Sequence, residues 1–297
     1  TQPRTRRMKN PYMTDENTVI SFSGGRTSAY MLYRVLDAYK FKLPEHIKVC
    51  FANTGKEMPE TLDFVQACSN EWGVDIVWLE RSMLTVVEGT KNKYNYETII
   101  TNHKKASRNG EPFASLMTNR PYAPNPVARF CTVELKIRAI KDYLVNVLEW
   151  ETPYVGLIGI RADEVRRAAK MQGTVVSGQE RYLPLFVDGI TKEHIGEFWQ
   201  ESSFDLELPN NKGVTDWGNC DLCFLKGLSK KMSIIRERPE LADWWIEQEE
   251  KLSLKLGKGA YFRADQPNYA QMKVIATTQQ NFDFLEDDET IPCFCGD

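Results

Sequence analysis

The stretch Thr18-Val19-Ile20-Ser21-Phe22-Ser23-Gly24-Gly25-Arg26-Thr27-Ser28-Ala29 changes character twice. Thr18 to Phe22 is a short apolar, β-branched run, as a buried strand requires, and Ser23-Gly24-Gly25-Arg26 breaks it. From Thr27 to Tyr39, Ala29, Met31, Leu32, Val35 and Leu36 fall on one helical face. A loop between strand and helix puts backbone N–H groups and the helix dipole where an anion binds. Gly24 and Gly25 let the backbone approach a phosphate that a side chain would block. Ser21 lies near the end of the strand; Ser23, Thr27 and Ser28 add hydroxyl donors and Arg26 adds charge. A Walker-type loop would end in Gly-Lys-Ser/Thr and the dinucleotide fingerprint would carry a third glycine; neither is present.

Outward from this loop the alternation continues. Ile47 to Phe51 reads as a second strand, Pro59 to Trp72 as a helix and Val74 to Leu79 as a third strand. Strands separated by single helices imply a parallel sheet with right-handed crossovers. Between Thr85 and Phe130 the periodicity fades into a polar, basic stretch with Pro112, Pro121, Pro124 and Pro126, which reads as a long functional loop. A helix from Val133 to Leu148 and a strand from Tyr154 to Ile160 restore order. After Phe204 the composition shifts to Trp-rich helical segments, two cysteine pairs and an acidic run from Asp283 to Glu289. The expected division is a basic arm over 1–17, a nucleotide-binding domain over 18–203 and a helical, cysteine-carrying unit over 204–297.

At 297 residues, 42% hydrophobic and 27% charged, the chain can bury a sizeable core. No window approaches a membrane span, and Thr1 to Arg7 lead into no apolar run, so a cytoplasmic protein without membrane contact is expected. A net charge of −3 argues against coating nucleic acid by bulk electrostatics. Local basic patches exist in the arm (Arg4, Arg6, Arg7, Lys9) and from Lys104 through Arg108, Arg120 and Arg129 to Arg138. The second patch, interleaved with Phe113, Tyr122 and Phe130, suits a polyanion with exposed bases. Seven cysteines are an odd number for a disulfide framework. Cys50 and Cys68 sit in apolar patterns and read as core, which leaves Cys131, the Cys220/Cys223 pair and the Cys293/Cys295 pair.

Ser23-Gly24-Gly25-Arg26-Thr27-Ser28 resembles the SGGxxS loop of the PP-loop ATP pyrophosphatases, and the chain is similar to the phosphoadenylylsulfate (PAPS) reductase-like branch of that superfamily. Four further segments carry the resemblance in order: Asn53-Thr54-Gly55-Lys56-Glu57-Met58-Pro59-Glu60-Thr61-Leu62; Cys131 with Leu135-Lys136; Gly159-Ile160-Arg161-Ala162-Asp163-Glu164 with Arg166-Arg167; and Tyr182-Leu183-Pro184-Leu185 before Ile190-Thr191-Lys192-Glu193. It implies a Rossmann-like α/β fold, a parallel sheet with helices on both faces and the nucleotide at the strands' carboxyl ends. It also implies that Ser21 and Ser23 to Ser28 hold phosphate, that Asn53, Thr54 and Glu57 line the nucleotide pocket, and that Gly159, Arg161 and Arg166 face the substrate anion, with Ser23, Arg26 and Arg161 closest to the chemistry. The spacing of Cys131 from Cys220 and Cys223 resembles cluster cysteines of related reductases and thiolation enzymes, implying a 4Fe-4S cluster with Cys293 or Cys295 as fourth ligand. Four thiolates suit zinc equally, and redox-active or buried thiols remain a third possibility.

Sulfonucleotide reductases of this branch use a mobile Glu-Cys-Gly-Leu-His-type tail, whereas this chain ends Ile291-Pro292-Cys293-Phe294-Cys295-Gly296-Asp297. The loop keeps both glycines, as in members that cleave ATP between the α and β phosphates. The expected activity is therefore an ATP pyrophosphatase, Mg²⁺-assisted, that adenylates an acceptor for sulfur insertion. Nucleic acid is the expected acceptor and a cysteine desulfurase or other sulfur donor the expected partner. Sulfonucleotide reduction and a non-catalytic nucleotide-binding regulator, paired with a nuclease or DNA-binding partner, are the alternatives.

Overall fold

Alternate residues of the central strands part the core into two layers, because successive side chains of a strand point to opposite faces. In β1 (Thr18–Phe22) Ile20 and Phe22 join one apolar cluster and Val19 another. The same split recurs in β2 (Ile47–Ala52), with Val49 and Phe51 on one side and Cys50 and Ala52 on the other. Both faces therefore need cover. Helices α1 (Arg26–Ala38) and α2 (Pro59–Trp72) take the first face, and the helical stretch after Cys131 takes the second through Ala139, Tyr143 and Leu144. That stretch is two π-helical runs, Thr132–Arg138 and Tyr143–Val147, joined by α4 (Ala139–Asp142).

The computed structural model describes residues 10–86, 94–210, 215–278 and 291. The remaining strands are β3 (Ile76–Val86), β4 (Tyr94–Thr101), β5 (Tyr154–Ile158), β6 (Val175–Val176) and β7 (Gln179–Tyr182). They form one seven-stranded sheet in the order β4-β3-β2-β1-β5-β7-β6. The five inner strands are parallel, in register Thr18↔Ile47 and Thr18↔Val155 about β1. Strand order reverses between β1 and β5, and in open α/β sheets such a switch point opens a crevice at the strands' carboxyl ends. The loop at Ser23–Gly25 leaves β1 at that crevice.

The fold agrees with the α/β, Rossmann-like expectation, with two amendments at the edges. β4 and β6 run antiparallel to their neighbours. β4, together with α3 (Glu111–Asn119), lies inside the stretch read as a loop. An edge strand buries little: Ile99 and Ile100 are both exposed, and the alternation Tyr94-Asn95-Tyr96-Glu97 is too short to stand out from the polar stretch around it.

Helices α5 (Val165–Met171), α6 (Pro184–Val187) and α7 (Lys192–Glu201) follow β5 and β7, and α8 (Leu228–Glu237), α9 (Leu241–Leu256) and α10 (Tyr269–Thr278) complete the chain's described part. Side chains of the last three helices share a core with the sheet's first face. Phe113 of α3 meets Trp244 and Trp245 of α9 edge-on at 5.3 and 5.7 Å. Among the described residues no helix is long and apolar enough to cross a membrane. The basic residues of the N-terminal arm, the acidic run 283–289, Cys293 and Cys295 lie outside the described residues.

Candidate phosphate and nucleotide site

A cavity of about 330 Å³ opens over the Ser23–Gly25 loop. Ser23, Gly24, Gly25, Arg26 and Thr27 form its floor, and Arg161, Glu164, Lys192, Asp216, Cys223, Lys226 and Lys230 are among its walls. The first turns of three helices border it, Arg26 and Thr27 in α1, Lys192 and Ile195 in α7, and Lys230 in α8, with Lys226 just ahead of α8. Unsatisfied N–H groups and the dipole's positive end make each such turn favourable to an anion. Five cationic side chains face two carboxylates, Glu164 and Asp216, so the lining itself carries a positive excess suited to a polyphosphate.

The loop is built to expose its backbone. Gly24 has φ of +81°, and a Cβ there would stand 2.7 Å from Thr61 Cγ2. Ser23 Oγ donates to Ser28 Oγ at 2.9 Å, and Ser28 Oγ donates to the Gly25 carbonyl at 2.9 Å. Ser28 is fully buried and braces the loop from behind. Gly159 makes room for that brace, since a Cβ on it would come within 3.2 Å of the Ser28 Cα.

Arg26 is the most constrained cation. Its Nε and Nη2 grip Asp205 at 2.7 and 2.8 Å, and the same Nη2 donates to the Leu206 carbonyl at 2.6 Å. Nη1 is buried and has no hydrogen-bond partner. A guanidinium locked at three contacts thus carries one unpaired N–H edge, and a buried donor left unpaired costs about 1–3 kcal/mol. Arg161 donates to Thr27 Oγ1 at 3.3 Å and pairs with Asp163 at 3.1 Å. Burial opposes ionisation of Asp163, but hydrogen bonding to Arg161 and its charge prevail and hold the carboxyl below its ordinary value.

The other expected site residues divide. Ser21 lines a separate, small cavity of about 50 Å³ together with Ser23, Lys136, Gln179 and Arg181. Asn53, Thr54 and Glu57 face inward. Asn53 Nδ2 donates to Glu80 at 2.6 Å, Thr54 donates through N and Oγ1 to Glu57 Oε2 at 2.9 and 2.8 Å, and Lys136 Nζ lies 3.6 Å from Glu57 Oε1. They stiffen the turn after β2 and are not among the residues lining the large cavity. Arg166 is exposed and outside that lining, and Arg167 pairs with Glu164. Lys192, Asp216, Lys226 and Lys230 were not among the expected site residues. Lys226-Gly227-Leu228 directly after the Cys220/Cys223 pair, with Gly227 as cap of α8, was the available signal.

Among the described residues, no group of three or more His, Cys, Asp or Glu side chains is arranged to hold a metal ion. Cys131, Cys220 and Cys223 therefore do not assemble the three-thiolate set expected of them. Cys131 packs in the hydrophobic core. Cys220 contacts Thr54 Oγ1 at 3.5 Å; burial and the nearby Glu57 charge push its thiol up to about 12, so it stays protonated near neutrality. Cys223, half-buried, alone of the three borders the large cavity.

Residues 17–187 match the phosphoadenosine phosphosulfate reductase domain, more than half of the chain. The chain belongs to this reductase-domain family. The chain is also similar to the "Uncharacterized nin region protein ORF290" of Escherichia phage lambda, 31% identical over 215 residues that cover 71% of this chain and 67% of that protein. The cationic cavity on the Ser23–Ser28 loop lies at the sheet's switch point, within the matched domain on the side of β1 and its loop. The match ends near α6, so the walls contributed by α7 and α8 come from outside it.

Proposed function

We propose that the chain is an adenine-nucleotide enzyme that opens ATP at the α-phosphate and passes the adenylyl group to an acceptor, which sulfur then displaces. One observation carries this: three helix first turns border a single cavity with a positive excess, and Arg26, one of its lining residues, has a buried Nη1 without a hydrogen-bond partner. An acceptor oxygen attacks the α-phosphorus, the bond to the bridging oxygen breaks, and its electron pair leaves on pyrophosphate. Backbone N–H groups of the loop, Arg26, Lys226 and Lys230 stabilise that developing charge. A sulfur nucleophile, delivered by a donor such as a cysteine desulfurase, then displaces AMP from the acceptor. Nucleic acid is the proposed acceptor class.

Glu164 is engaged by Arg161 and Arg167, and Asp216 by Lys230, so Mg²⁺ would arrive on the nucleotide's phosphates, where it would neutralise charge on the leaving group. No step is routed through an iron–sulfur cluster. An anaerobic preparation analysed for iron and visible absorption tests whether Cys293 or Cys295 completes a ligand set; iron-free protein with full turnover removes the cluster from the scheme.

The deciding experiment is ATP turnover with separate detection of AMP and pyrophosphate, in the wild type and in Ser23→Ala with Gly25→Ala. Equal release of AMP and pyrophosphate, lost in the double variant, is expected. Release of ADP, or retained nucleotide binding in the variant, refutes the assignment, and binding without turnover points to a regulator. A second reading, reduction of a sulfonucleotide, is favoured by the Cys223 thiol at the same cavity. Sulfite release that disappears in Cys223→Ser would establish that reading instead.

A further inference from the structure

A second large cavity, about 800 Å³, lies apart from the phosphate loop and is lined by Arg81, Tyr96, Arg120, Pro121, Tyr122, Glu134 and Arg138. The helical run Thr132–Arg138 stands between the two regions: Lys136 and Ile137 line the small cavity beside Ser23, while Glu134 and Arg138 line this one. Glu134 is its hub. The buried carboxylate accepts from Arg138 at 2.7 Å and Arg120 at 3.4 Å, and Arg81 Nε lies 3.9 Å away, beyond hydrogen-bond reach. Asp142 answers Arg81 from outside the lining, so three guanidinium groups stand against two carboxylates.

Aromatic rings hold these cations in place. Arg81 lies over Tyr96 at 4.6 Å and Arg120 over Phe130 at 4.2 Å. Of the three aromatics that the sequence interleaves with the basic stretch, Phe113 and Phe130 are core side chains. Only Tyr122 remains at the surface, 44% exposed and propped edge-on against Phe130 at 5.6 Å. An oriented, half-exposed ring beside a cationic wall, in a cavity far larger than a phosphate, matches the elements with which proteins hold one unit of a single strand: a stacking platform and a backbone clamp.

We propose that this cavity binds a nucleotide unit of a single-stranded nucleic acid, with a base stacked on Tyr122 and the adjoining phosphodiester held by Arg138 and Arg120. The inference rests on nucleic acid as the acceptor class and gives that acceptor a place one helical run away from Ser23. Arg138 has about half of its side chain exposed, so its contact with Glu134 at the rim can be exchanged for a phosphate contact without opening the core.

The test uses the full chain and a short fluorescein-labelled single-stranded oligonucleotide, read by anisotropy without ATP. Tyr122→Ala should weaken binding by about five- to 150-fold, the worth of one base–aromatic stack. Arg138→Gln should lower the slope of log affinity against log salt by about 0.7, the value of one phosphate contact on a single strand. Both exposed-site variants should bind ATP as the wild type does, and Ser23→Ala with Gly25→Ala should lose ATP yet keep the oligonucleotide. Unchanged oligonucleotide affinity in Tyr122→Ala and Arg138→Gln overturns the proposal. So does an abasic strand bound as tightly as the normal one, since that would leave a simple anion site. Failure of ATP turnover leaves these readouts untouched, so the two conclusions can fall separately.

Discussion

Gly24→Ala is the most direct test of the phosphate loop, because its cost can be worked from coordinates. At φ of +81° an alanine pays the left-handed penalty, about 1–2 kcal/mol for an L-residue. Its Cβ would stand 2.7 Å from Thr61 Cγ2, 3.1 Å from Val65 Cγ2 and 3.3 Å from Phe51 Cε2, which are buried side chains of α2 and β2. Overpacking of that kind adds about 1–3 kcal/mol. The sum, about 2–5 kcal/mol, should lower the melting temperature of a 297-residue chain by roughly 3–8 °C. Scanning fluorimetry with and without ATP reads both stability and binding, and the ATP-induced rise in melting temperature should vanish as the loop shifts. Thr61→Ser removes the methyl that clashes. Combined with Gly24→Ala it should restore about 1–2 kcal/mol, although in the wild type it deletes a buried methyl worth about 0.8 kcal/mol. Strictly additive effects, or a Gly24→Ala protein as stable as the wild type, would refute the proposed loop geometry.

Arg26→Gln should weaken nucleotide binding about 10- to 100-fold, the worth of a charge-assisted hydrogen bond, as measured by calorimetry; unchanged affinity would mean that Nη1 does not face the ligand. Lys56 and Asp221 form a buried pair at 2.8 Å, and Lys56→Met should cost about 3–5 kcal/mol in urea unfolding by leaving a buried carboxylate alone. Burial already holds the Asp221 carboxyl above its ordinary value of 3.8. Its neutral form is therefore the one folding prefers, and the variant's stability should fall as pH rises above about 4 through the raised native value; a pH-independent deficit would contradict this. With residues 293 and 295 changed to serine, iodoacetamide should label Cys223 first and leave Cys220 unmodified in native protein at pH 8, as mass spectrometry of peptides would report. Because the Cys220 thiol titrates from about 9 unfolded and about 12 folded, stability should also decline as pH climbs through that interval.

Residues 18–79 alone carried β1, β2, the start of β3, the helices α1 and α2 and the glycine loop between β1 and α1, because each of those features is local. A buried strand is an apolar run, a covering helix has a 3.6-residue period, and a phosphate loop is a glycine break between them. Which residues wall the cavity was not local. Lys192, Lys226 and Lys230 reach it only because α7 and α8 are packed with their first turns toward β1, and no spacing within one segment encodes that approach. The cysteines make the same point in reverse. Cys131, Cys220 and Cys223 have a spacing that suggests shared work, yet tertiary packing sends Cys131 into the core, seals Cys220 behind Thr54 and Glu57, and leaves Cys223 at the cavity over the Ser23–Gly25 loop. Asn53, Thr54 and Glu57 were likewise legible as a motif and not as a role, since the burial that turns them into a brace for the turn after β2 exists only once β2, β3 and the segment around Ser107 have come together.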